Sequence, residues 1–98
     1  MVHANLLAAR STKPLMGEIL NVGCAVQISV NLLAETMARA MGKEDLKPIY
    51  QPERAGDIKH SFADLTKTSA TLGYKPIVGF EAGLKVTMDW YRSVIPVP

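Results

Sequence analysis

Glycine and proline divide this sequence into short pieces, and that punctuation limits what it can fold into more than any one motif does. Proline fixes a backbone angle and removes an amide donor, while glycine supplies the left-handed turns that end helices. Pro14, Gly17, Gly23, Gly42, Pro48, Pro52, Gly73 and Pro76 fall between apolar runs, and Pro96 and Pro98 close the chain. The architecture must therefore be built from short elements. With 98 residues there is room for one domain with a modest core.

The pieces carry recognisable periods. Val2, Leu6, Leu7 and Ala9 follow helical spacing, and that helix fades at residues 10–14. Residues 18–22, bounded by Gly17 and Gly23, read as a strand with apolar residues on both faces, as in a covered strand. Ser29 sits where an N-cap belongs. The helix it opens runs from residue 30 to about 41, with Leu32, Leu33, Thr36, Met37, Ala40 and Met41 as its apolar stripe and Gly42 as its stop. Residues 47–51 read as a short strand with proline at its edge. Asp64 caps a helix over 65–72 that Gly73 closes. A last helix runs from about residue 80 to 93 with Phe80, Leu84, Thr87, Met88 and Tyr91 on one face, and Pro96 and Pro98 forbid its continuation. There is no internal repeat and no low-complexity segment.

Several functions are poorly supported. The net charge of +2 comes from 11 basic and 9 acidic side chains scattered along the chain, so no basic run follows a nucleic-acid backbone. Residues 1–9 are too short, and too interrupted by His3 and Asn5, to span a bilayer, and they lack the pattern of a signal peptide. No nucleic-acid partner, membrane or export is expected. One cysteine, Cys24, forms no intrachain disulfide, which fits a reducing cytoplasm, and it reads as a packed, inert thiol. His3 and His60 have no ligand-spaced partners, so no metal site is expected. Trp90 and Tyr91 read as core.

The segment Arg54-Ala55-Gly56-Asp57-Ile58-Lys59-His60-Ser61 stands out. Arginine presents a planar fork of donors that fits paired phosphate oxygens. Asp57 has acceptors suited to vicinal sugar hydroxyls or a neighbouring amide, and Gly56 lets the backbone turn closely. On the octet alone, an exposed Arg54–Asp57 ion pair across a solvated turn is the favoured reading.

The order of the pieces separates these readings. GEILNVG at 17–23, Ser29 opening a helix, GKE at 42–44, RAGD at 54–57, ADLTKTSATLGYKP at 63–76 and GLKVTMDWYR at 83–92 resemble the C-terminal part of the extended short-chain dehydrogenase/reductases. These are the NAD-dependent nucleotide-sugar epimerases and dehydratases, and the chain is most similar to the UDP-N-acetylhexosamine/UDP-glucose 4-epimerases among them. The resemblance spans about residues 2–93. It implies an α/β (α+β) fold: a small, mainly helical fragment with three to four helices and two to three short strands, the substrate-binding portion without its Rossmann domain. Residues 1–98 are expected to form one domain, with 1–23 normally packed on the absent Rossmann domain.

The resemblance also assigns roles. Arg54 falls where the family contacts the nucleotide diphosphate, Asp57 near the ribose or the loop backbone, and Ser61 where a side chain limits the hexose pocket. A small residue there leaves space for an N-acetyl group. A UDP-sugar is thus the implied ligand. Where the family commonly has glycines after the strand, this chain has Cys24-Ala25. It contains neither a Gly-x-x-Gly-x-x-Gly turn nor a Tyr-x-x-x-Lys pair, so no catalytic residue and no NAD site is assigned in it, and NAD is expected only in a full-length relative. The expectation is a truncated, inactive piece of a 4-epimerase retaining part of the UDP-sugar wall. Its alternatives are a self-associating module without ligand, and one chain of a split epimerase or dehydratase. Bared apolar faces on the first helix and strand imply a homo-oligomer.

Overall fold

The computed structural model describes residues 1–95. Its elements are α1 (Val2–Ala9), α2 (Val30–Ala40), α3 (Thr66–Leu72) and α4 (Phe80–Val94). They gather in two compact units, one of residues 1–26 and 61–77, the other of residues 27–60 with the segment from Val78 onward. No helix among the described residues is long and apolar enough to cross a membrane.

In the first unit α1 packs on α3. Ala4, Thr68 and Tyr74 form its buried centre, at 3%, 0% and 5% exposure. Two of these three carry hydroxyls, and burying a hydroxyl is tolerated only when it is hydrogen-bonded. Thr68 Oγ1 donates to the Asn21 carbonyl at 2.5 Å, and Tyr74 OH donates to the Gly23 carbonyl at 2.9 Å. Lys67 Nζ reaches the Ile19 carbonyl at 3.4 Å and lies 3.7 Å from the Glu18 carboxylate. Three alternate carbonyls are therefore clasped by side chains from α3 and from Tyr74, two residues past its end. Asp64 Oδ1 accepts from the Thr66 amide at 2.9 Å and the Thr66 hydroxyl at 2.6 Å. The N-cap of α3 is Leu65, with no side-chain cap, so Asp64 stands one residue before the cap position expected of it, and these bonds to its charged form hold its pKa below the ordinary carboxylate value. Gly73 closes α3 at φ 64°.

In the second unit α2 packs on α4. Ser29 Oγ accepts from the Leu32 amide at 3.1 Å, which satisfies one of the free donors of the first turn. At the other end Gly42 (φ 65°) permits a Schellman stop. Lys43 N–H bonds to the Ala38 carbonyl at 2.8 Å and Gly42 N–H to that of Arg39 at 3.1 Å. Arg92 from α4 donates to the Ala40 carbonyl at 2.8 Å, placing a cation at the negative end of α2. Along α4, Asp89 receives Lys85 at 2.7 Å and lies 3.7 Å from Arg92. The hydrogen bond from Lys85 is the main cause of the lowered Asp89 pKa. Met88 is buried, and Phe80 and Leu84 beside it are half-buried. The helix-stopping role of Pro96 and Pro98 lies outside the described residues. Ile95, which precedes a proline, already has extended backbone (φ −103°, ψ 113°).

The α/β expectation with two to three strands is corrected here, because no strand occurs among the described residues. A strand exists only with a ladder partner, and residues 18–22 and 47–51 meet none. Their β-forming composition reports a fit to a pleated, covered surface, yet Ile19 is 88% and Ile49 86% exposed. The described fold is helical. Other burial expectations also fail. Cys24 is exposed, and Trp90 and Tyr91, edge-on to each other at 4.9 Å, are 58% and 51% exposed.

Candidate functional site

The residues singled out at 54–57 form a turn in the second unit. Asp57 N–H bonds back to the Arg54 carbonyl at 3.3 Å, with Gly56 at φ 90° in the third position. That position of a type II turn requires a positive φ, which explains the glycine. A Cβ placed on Gly56 would meet nothing within 4 Å, so the backbone angle rather than crowding selects it. The ion pair that would explain the octet as a solvated turn is not formed. Arg54 and Asp57 are each exposed and neither has a salt-bridge partner among the described residues. Instead Glu53 and Lys59, which the sequence reading left aside, pair across the base of the turn at 2.7 Å. Both are well exposed, so the pair shapes the loop more than it stabilises the chain.

Ser61 lies four residues beyond Asp57, exposed, where the chain has entered the first unit. His60 beside it is exposed as well, whereas His3 is half-buried with its ring 6.1 Å from that of Tyr74. No group of three His, Cys, Asp or Glu side chains able to hold a metal occurs among the described residues.

Two hollows were not foreseen. One of about 730 Å³ lies in the second unit, with Met37, Met41, Leu46, Pro48 and Tyr50 among the apolar groups of its lining and Arg39 among the charged ones. The other, of about 440 Å³, lies in the first unit at the ends of α1 and α3, where Arg10, Lys13, Ser69 and Thr71 meet. Neither includes Arg54, Asp57 or Ser61. The apolar members of the larger hollow were legible only as the stripe of α2, since nothing local indicates that residues 46–50 return beside it.

No family model matches the chain. It is similar to a UDP-glucuronate 4-epimerase of Thermodesulfobacterium geofontis, 36% identical over 86 residues, which is 87% of this chain and 26% of that one. A UDP-glucose 4-epimerase of Mycolicibacterium smegmatis is 34% identical over 79% of this chain and 24% of its own length. A dTDP-glucose 4,6-dehydratase of Streptomyces niveus is also 34% identical, over 79% of this chain and 23% of its own. A UDP-glucose 4-epimerase of Thermotoga maritima, solved with UDP-glucose, superposes with a TM-score of 0.80 at 37% identity, over 94% of this chain and 28% of that one. The chain thus spans about a quarter of the length of these relatives and matches the C-terminal part of the 4-epimerases.

Proposed function

Because this chain belongs to the nucleotide-sugar epimerase and dehydratase family, we propose that it carries part of the wall against which a nucleotide sugar is held. Arg54 grips the diphosphate, and Asp57 serves the ribose hydroxyls or the loop backbone. The observation behind this reading is the 54–57 turn, where the guanidinium has no acidic partner among the described residues while the neighbouring Glu53 is engaged by Lys59. An arginine without a partner keeps its planar fork for two phosphate oxygens. A carboxylate repels phosphate, so Asp57 suits neutral hydroxyls instead. The small side chain of Ser61, by its place four residues after Asp57, favours a UDP-N-acetylhexosamine.

Epimerisation in this family draws on NAD for its hydride transfer, and the residues of this chain do not fit that cofactor. None of its glycines makes a Gly-x-x-Gly-x-x-Gly turn, and no tyrosine is followed four places later by lysine. Tyr74 is further disqualified as a proton carrier, because its hydroxyl is committed to the Gly23 carbonyl in a buried setting. No redox step is assigned to these residues. They bind, and the chemistry belongs to groups outside this span, in a longer chain or in a separate one.

Isothermal titration with UDP, UDP-glucose and UDP-N-acetylglucosamine tests the reading. The chain is expected to bind weakly, and Arg54→Ala to weaken binding by about tenfold to a hundredfold, as loss of a charged hydrogen-bond donor does. No heat from the unaltered chain at millimolar ligand would sink the proposal. It would favour a self-associating module without ligand, a reading supported by the bare Ile19 and Ile49.

A further inference from the structure

The loop around Arg54 is held by two links. Residues 51–60 make one backbone hydrogen bond among the described residues, from Asp57 N–H to the Arg54 carbonyl at 3.3 Å, just beyond the usual range of about 2.7–3.2 Å. The second link is the ion pair of Glu53 and Lys59 at 2.7 Å. Two acidic and two basic side chains, Glu53, Arg54, Asp57 and Lys59, thus fall within seven residues, yet they pair selectively. Glu53 joins Lys59 rather than its immediate neighbour, and Arg54 joins no acid among the described residues. Neighbouring Cα atoms are about 3.8 Å apart, so an unengaged Glu53 is the acid best placed to swing onto the guanidinium. There it would occupy the paired donors that fit phosphate oxygens, since carboxylate and phosphate compete for the same fork.

We propose that Lys59 is a positioning residue for Arg54 and acts through Glu53: by engaging that carboxylate it keeps the neighbouring fork open to a phosphorylated ligand. This rests on the nucleotide reading for what Arg54 binds, whereas the state of the fork is a property of the unliganded chain. The role is directional. Were the pair a brace for the turn, loss of either partner would disturb Arg54 alike. A residue that acts by occupying Glu53 is needed only while Glu53 carries its charge. The side chains of the pair are largely exposed, 68% for Lys59 and 75% for Glu53, so the effect has the size of a surface ion pair, about two- to fivefold.

Phenylglyoxal, an uncharged reagent for free guanidinium groups, reads the fork without a nucleotide. Its rate at Arg54 is followed by mass spectrometry, with Arg10 and Arg39 of the same chain as references. The rate is expected to fall about two- to fivefold in Lys59→Met, to stay unchanged in Glu53→Gln, and to return in Glu53→Gln with Lys59→Met. Lys59→Arg, which keeps the pair, should match the unaltered chain. Titration with UDP should give the same order of affinities. Equal rates in all variants overturn the proposal, and so does a loss shared by Glu53→Gln, the mark of a brace. A double variant that recovers its rate but not its affinity would put Lys59 itself on the phosphate, which overturns a role through Glu53. If the unaltered chain takes up no UDP, the nucleotide reading fails, while the ordered rates still establish that Lys59 frees Arg54.

Discussion

At the scale of single residues, two side chains occupy backbone angles that suit glycine or asparagine better. Met16 (φ 50°) and Gly17 (φ 72°) are the central pair of a turn closed by Glu18 N–H to the Leu15 carbonyl at 3.0 Å, a type I′ arrangement. Ala25 has φ 53°, just where the family pattern led us to expect glycine. Such angles cost a non-glycine residue about 1 kcal/mol or more. Met16→Asn and Ala25→Gly should therefore each raise stability by about 0.5–1 kcal/mol, read as a higher urea midpoint at constant slope. Thr68 runs the other way. Thr68→Val keeps the shape but leaves the Asn21 carbonyl without its donor, and should cost about 1–3 kcal/mol, whereas Thr68→Ser should cost clearly less. Nothing in the sequence TKTSATL distinguished the buried threonine from its neighbours. Its role depends on a carbonyl 47 residues away, as the exposure of Cys24 and Trp90 depends on what other segments fail to cover.

At the scale of elements, what was legible was local. Ser29 and Gly42 announced both ends of α2 because a cap and a left-handed stop are made within a few residues of sequence. Asp64 announced the start of α3 to within one residue, since the cap itself is Leu65, and its titration gives a test. Its folded pKa lies below the ordinary value of 3.8, so its contribution is fully present above that value and is lost as pH falls through the folded pKa. Stability should therefore drop below about pH 4. Asp64→Asn, which keeps an acceptor but no titrating carboxylate, should flatten that part of the profile; an unchanged profile would remove Asp64 as its source. Residues 18–22 and 47–51 were misread for the opposite reason. Apolar alternation tells a chain to lie extended, but the ladder that makes a strand comes from elsewhere. The Arg54–Asp57 turn stands between these cases: Gly56 revealed the bend, and the absence of an Arg54–Asp57 ion pair did not follow from the octet.

At the scale of the whole molecule, surface outweighs core. The accessible area is 8549 Å², whereas two separate compact bodies, each of half this mass, would expose about 6600 Å² between them. Unfolding should release correspondingly little. Scanning calorimetry is expected to give well under the usual ~0.7 kcal/mol per residue near 60 °C, and a value at or above it would mean that much of this area is covered in solution. The clasp on residues 18–23 bears on how such a surface behaves. Thr68 and Tyr74 tie the carbonyls of Asn21 and Gly23 to their own unit. Thr68→Val with Tyr74→Phe removes both ties at once, and the stretch should then open locally before the rest of its unit does, losing amide protection first.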